Sequence, residues 1–106
     1  MGKKEDLIKD LRRFKAFVNK DLAVEKVIFF GSRASGKPNK NSDVDLIIVS
    51  DRFTKMNPIS RASKMYDYWE IGLPVDFLCY TKREFNQRKN RITIVREAVL
   101  NGIEIN

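Results

Sequence analysis

An apolar β-strand that opens on two carboxylates is the strongest constraint in this sequence. Asp43-Val44-Asp45 runs directly into Leu46-Ile47-Ile48-Val49. Strand side chains alternate, so Asp43 and Asp45 share one face while Val44, Leu46 and Ile48 take the other. Aspartate is depleted in strands, and two like charges that close repel each other. Something must compensate. Downstream, Asp76 interrupts another apolar run between Val75 and Phe77. Upstream, the run Lys26–Phe30 stops at Gly31-Ser32, and the stretch from Gly36 to Ser42 is loop chemistry throughout. Carboxylates gathered on neighbouring strands suit divalent cations, which accept all-oxygen ligation and remove the repulsion.

Each aspartate also has a structural reading. Asp43 is placed to cap a turn, and Asp76 has many Arg and Lys residues available for an ion pair. Taken singly, the structural and functional readings balance. Taken together, with a Gly-Ser turn upstream, the aspartates favour a metal site. What the chain lacks narrows the chemistry further. It has no histidine and a single cysteine, Cys79. That excludes His-based acid–base catalysis, Ser-His-Asp triads and structural zinc sites. It leaves the hard cations magnesium, manganese or calcium.

The Gly-Ser turn completes the pattern. Gly31 has no side chain, so backbone can approach a ligand closely. Amides of the following turn, or of a helix starting there, can donate to phosphate oxygens. Ser32 adds a hydroxyl and Arg33 a cation. The segment "GSRASGK" is not a Walker A loop, because Lys37 is followed by Pro38.

Periodicity predicts the elements around these motifs. A helix from Glu5 to about Lys20 carries Leu7, Ile8, Leu11, Phe14, Phe17 and Val18 as its apolar stripe. Strands follow at Lys26–Phe30, Val44–Ser50 and Pro74–Tyr80. Asn57-Pro58 opens a helix that carries Ile59, Ala62, Met65, Tyr66 and Trp69 and closes at Gly72. Thr81 and Glu84 form a capping box for a last helix running to Gly102, and Ile103–Ile105 adds an edge strand. Helix, strand, strand, helix, strand, helix gives a fold of the α/β (α+β) class: a mixed β-sheet with helices packed against it.

At 106 residues one domain, 1–106, is expected. No apolar run is long enough to span a bilayer, and the N-terminus lacks a signal-peptide core. With one cysteine, a cytoplasmic, reducing setting is expected. The net charge of +7 fits either a solvated basic surface or an anionic partner.

Gly31-Ser32, ten residues, then Asp43-x-Asp45 resembles the signature of the minimal nucleotidyltransferases, within the DNA polymerase beta-like nucleotidyltransferase superfamily. "VIFFGSRASG" and "SDVDLIIV" agree with the family's surroundings of that motif. "VDFL", with Asp76, is similar to its third-acid strand, and "REAVLNGIEI" to its closing helix and short strand. The resemblance covers roughly Asp6 to Ile105 and implies the small nucleotidyltransferase fold. It implies that Gly31, Ser32 and Arg33 bind the nucleotide. Asp43 and Asp45 would ligate two magnesium ions, with manganese as the alternative. Asp76 would ligate the metal nearer the acceptor and help deprotonate its hydroxyl. Lys37 or Lys40 would offset phosphate charge less certainly than Arg33. With all three acids present, the implied activity is transfer of a nucleoside monophosphate, foremost AMP from ATP, to an acceptor hydroxyl. Such chemistry needs positioning and charge neutralisation more than covalent help.

Members of this family commonly pair with HEPN-domain proteins in toxin–antitoxin modules and adenylylate a tyrosine of the HEPN ribonuclease. A chain without histidine cannot supply the HEPN motif itself, so the resemblance implies a second protein, with homo- or hetero-oligomerisation open. Tyr66, Tyr68 and Trp69 would either serve that interface or pack against the sheet. Two other classes compete. One is a non-catalytic nucleotide-binding or partner-blocking module. The other is nucleic-acid binding through Lys82, Arg83, Arg88, Lys89, Arg91 and Arg96. Those cations spread around the predicted helix with few aromatics between them, so it ranks low.

Overall fold

The computed structural model describes residues 3–37, 41–91 and 93–106. Helix α1 (Lys3–Asn19) buries Leu7, Leu11, Phe14 and Val18, a stripe at helical spacing. Glu5 and Asp6 lie in its first turn, where acids favour the helix dipole. Phe17 falls off the stripe and meets Tyr68 edge-on, ring centres 5.2 Å apart.

Strands β1 (Lys26–Phe30), β2 (Val44–Val49), β3 (Val75–Tyr80) and β4 (Ile103–Glu104) form one sheet in the order β3-β2-β1-β4. β1 is antiparallel to both β2 and β4, whereas β2 and β3 are parallel. A parallel neighbour requires a crossover, and helix α3 (Pro58–Tyr66) lies within it. Alternation then gives the sheet two apolar faces. Val27, Phe29, Val44, Leu46, Ile48, Val75, Phe77 and Cys79 pack with α1, Phe53 and Met65 of α3. Ile28, Phe30, Ile47 and Val49 pack under Phe85, Val95 and Ala98 from the C-terminal helices. β2 is therefore covered on both sides, as its unbroken apolar run predicts.

Local chemistry sets the helix starts. Asn57 Oδ1 accepts from Ser60 N at 2.8 Å, with Pro58 opening α3. Thr81 and Glu84 form the expected capping box ahead of helix α4 (Lys82–Arg88). Tertiary packing moves two of the predicted ends. α3 stops at Tyr66 and not at Gly72. Trp69 reaches the core from the loop that follows, edge-on to Phe14 and Phe77 at 5.3 and 5.7 Å. Its indole N–H donates to Leu73 O at 2.8 Å, and that local partner stands in for another helical turn. Tyr66 also packs edge-on against Phe77, and its hydroxyl donates to Val75 O. The predicted last helix is two helices, α4 and α5 (Thr93–Asn101). Asn86 to Arg91 reads Asn-Gln-Arg-Lys-Asn-Arg, with no apolar side chain to hold a continuous helix on the sheet. Breaking there lets Phe85 and Val95 both reach it.

Arg61 ties the crossover to the far end of β3. It is buried, and its guanidinium donates to Met56 O (2.8 Å), Cys79 O (3.1 Å) and the Glu84 carboxylate. Among the described residues no helix is long and apolar enough to cross a membrane.

Candidate active site

The site is built where β1 ends and β2 and β3 begin. After Phe30 the chain turns at Gly31, whose φ of +83° is a conformation L side chains rarely adopt. A second constraint acts on the same residue. A Cβ on Gly31 would overlap Asp45 Oδ2. Only glycine satisfies both, so the backbone of this turn lies directly against the Asp45 carboxylate.

A four-residue helix, α2 (Ser32–Ser35), follows and is pinned by buried Ala34. The sequence pattern gave α2 only as an option, because four residues are too few to show a period. Ser32 Oγ donates to Ser42 Oγ at 3.1 Å, and Arg33 Nε donates to Ser42 O at 2.8 Å. Both side chains thus brace the residue that precedes Asp43. Lys37 is exposed. Lys40, considered with it as a phosphate cation, and Pro38 lie outside the described residues.

Asp45 pairs with Phe30 across the antiparallel ladder and with Asp76 across the parallel one. Register partners share a face, so Phe30, Asp45 and Asp76 form one row across three strands. Asp43 precedes β2, two residues before Asp45 and on the same side of the alternation. Asp45 is half-buried while Asp43 and Asp76 are exposed. Burial raises the Asp45 pKa above the usual carboxylate value, and the charges of Asp76 and Asp43 raise it further. Among the described residues, no lysine or arginine forms an ion pair with any of the three.

The three acids therefore share one end of one face, as the i, i+2 spacing and the third strand predict. They do not converge into a finished coordination shell. Among the described residues no group of three acidic or cysteine side chains is positioned to hold a metal ion. Their chemistry still suits a hard cation: exposed carboxylates, with no ion-paired lysine or arginine among the described residues, around a half-buried central member.

Beside Asp45 opens a cleft of about 570 Å³. Phe30, Gly31, Ser35 and Asp45 form one side and α5 the other. α5 fits close to β1 because Gly102 follows it. A Cβ there would meet Ile28 Cγ2 at 2.8 Å and Phe29 O at 3.0 Å. This α5 wall, with Glu97 and Asn101 on it, was not read from the sequence. Its one signal is the pair of polar residues flanking small Ala98 at helical spacing.

Comparison with known proteins agrees with this fold. The nucleotidyltransferase domain family matches residues 11–101. A candidate nucleotidyltransferase from Sulfolobus solfataricus, known from its crystal structure, superposes with a TM-score of 0.66 at 22% identity. The match covers 95% of this chain and 80% of that one. A second candidate nucleotidyltransferase of known crystal structure matches with a TM-score of 0.55 at 26% identity, covering 76% of this chain and 88% of the other. BolA1 from Arabidopsis thaliana matches with a TM-score of 0.53 at 19% identity, over 68% of this chain and 90% of its own, and shares the fold alone. No curated protein matches.

Proposed function

The chain belongs to the nucleotidyltransferase domain family, and from that premise we propose that it moves a nucleoside monophosphate, foremost AMP from ATP, to a hydroxyl of a partner protein. Membership carries the coarser part, a nucleoside triphosphate substrate and nucleotidyl transfer as the reaction class. One observation supports catalysis at this site. The Gly31 backbone rests on the Asp45 carboxylate, with Asp76 beside it in register.

In this reading residues 1–106 act as one domain in the cytoplasm. Asp43 and Asp45 would hold two magnesium ions, or manganese, with Asp76 completing the ligand set on the acceptor side. Such ions neutralise carboxylate and phosphate charge when bound. The chain's own groups do the rest. Backbone at Gly31 and the Ser32 hydroxyl hold the phosphates, and Arg33, braced on Ser42, offsets their charge. The acceptor oxygen attacks the α-phosphorus. The bond from that phosphorus to the bridging oxygen of the β-phosphate breaks, and pyrophosphate leaves with its electron pair. The hydroxyl proton passes to the Asp76 carboxylate.

Exposed Asp43 and Asp76 leave the acidic edge open to a hydroxyl carried on a macromolecule. We take that hydroxyl to be a tyrosine of a HEPN-domain partner, which makes the chain a protein adenylyltransferase with an antitoxin role. The unfinished coordination shell favours a second reading, a domain that binds nucleotide and blocks its partner without transfer.

Label transfer separates the two. The chain, magnesium, α-labelled ATP and a co-expressed HEPN-domain partner are combined, with wild type set against Asp45→Asn. Label on the partner with wild type alone is the expected result. Nucleotide binding without label from either protein contradicts transfer and leaves blocking.

A further inference from the structure

The side of the cleft facing Asp45 is a single stripe of α5. Ile94, Glu97, Ala98 and Asn101 recur at i, i+3, i+4 and i+7, and all four border the cleft. The polar pair is internally bonded: Asn101 Nδ2 donates to Glu97 Oε2 at 3.3 Å. That bond takes one of the two amide protons; the second Glu97 oxygen and Asn101 Oδ1 remain as acceptors beside the one remaining amide proton, so acceptors outnumber donors on this edge. Phe30 and Ala98 supply apolar surface between them and the Gly31 turn. Apolar surface edged by acceptors complements a planar heterocycle that carries N–H donors. The volume, about 570 Å³, falls in the range of small-molecule sites. Gly31 and Ser35 belong both to the phosphate turn and to the cleft wall, so one ligand can occupy both.

Resting on the transfer reading above, we infer that Glu97 and Asn101 read the nucleobase and select bases bearing an exocyclic amine over uracil. Adenine, guanine and cytosine each offer an amine to the acceptor edge. Uracil offers one N–H flanked by two carbonyls, which face the carboxylate unfavourably. Cytosine and uracil are nearly the same size, so the comparison between them isolates this effect from shape.

The test is equilibrium binding of the α,β-methylene analogues of CTP and UTP, with magnesium, to wild type, Glu97→Gln and Asn101→Ala. A paired hydrogen-bond readout of a base edge predicts that wild type prefers the CTP analogue by about tenfold or more. Glu97→Gln supplies a donor that a carbonyl can accept, so its preference falls towards unity, chiefly by gaining affinity for the UTP analogue. Asn101→Ala lowers the preference less. Both side chains are exposed, and unchanged thermal unfolding checks the fold. Equal affinity of wild type for the two analogues overturns the inference. So does a preference that survives both substitutions, including the case where Glu97→Gln lowers only the transfer rate and the cleft serves the acceptor. Wild type that binds and transfers all four nucleotides equally overturns base selection alone. Failure to bind any triphosphate overturns the transfer reading with it.

Discussion

The two ends of β3 treat carboxylates in opposite ways. At the C-terminal end, Glu84 meets buried Arg61 and accepts from Thr81 N at 2.9 Å, and its pKa falls to about 2. The Arg61 hydrogen bond is the main cause. At the N-terminal end, Asp45 faces Asp76 and Asp43 with no protein cation among the described residues, and its pKa rises. The fold completes the first group by itself. The second keeps a charge that no ion pair among the described residues neutralises. On the proposed function, the contrast separates a structural acid, Glu84, from acids that serve the site.

Four changes would break or sharpen that contrast. The largest effect is expected at Arg61. Arg61→Ala removes four hydrogen bonds, stranding the Glu84 carboxylate and the Met56 and Cys79 carbonyls, and should cost about 3–5 kcal/mol in denaturant unfolding. A loss below 1 kcal/mol would mean that the far end is no more integrated than the acidic one. Next is Gly31→Ala, which combines a positive φ with overlap on Asp45. It should lose about 1–3 kcal/mol, together with nucleotide affinity.

Asp45→Asn should run the other way. Removing the central charge relieves repulsion and should stabilise the metal-free protein by about 1 kcal/mol, while transfer falls at least about a hundredfold. Calorimetry in chelator beside a transfer assay checks both halves. A variant that is less stable and fully active would contradict both.

The smallest effect is the pH dependence. The Glu84 pKa is depressed in the folded state, so its stabilisation is full above the ordinary value of 4.5 and is lost as pH falls towards about 2. The Asp45 pKa is raised, so its penalty on folding grows as pH climbs past the ordinary value of 3.8 and is full above the raised one. Glu84→Gln should therefore flatten the acid limb of stability. The advantage of Asp45→Asn at pH 7 should fade by about pH 3, where both side chains are neutral. Urea titrations across that range would show whether the two acids move in opposite directions.

Part of this contrast is legible in the sequence itself. Lys26–Phe30 reads as a strand from its own residues, and Asn57-Pro58 and Thr81-x-x-Glu84 announce their helix starts. Those signals are local. The i, i+2 spacing likewise placed Asp43 and Asp45 on one face. What escaped was set at a distance. Asp76 was expected on a strand neighbouring Asp45, but their direct pairing depends on a parallel register that no short segment encodes. Arg61 looks like any exposed helix cation until Glu84, Met56 and Cys79 surround it. The α5 wall exists because the last helix breaks, a consequence of how both halves lie on the sheet. Trp69 fits the helical period of α3, yet its indole is seated from a loop by its bond to Leu73.

The most direct test of the unpaired acidic end is magnesium-dependent binding of a non-hydrolysable ATP analogue to wild type and to the Asp43→Asn, Asp45→Asn double variant. If these acids wait for cations from outside, magnesium should tighten binding to wild type by about tenfold or more and leave the double variant unchanged. Affinity that ignores magnesium in wild type, or that responds equally in both proteins, would contradict it.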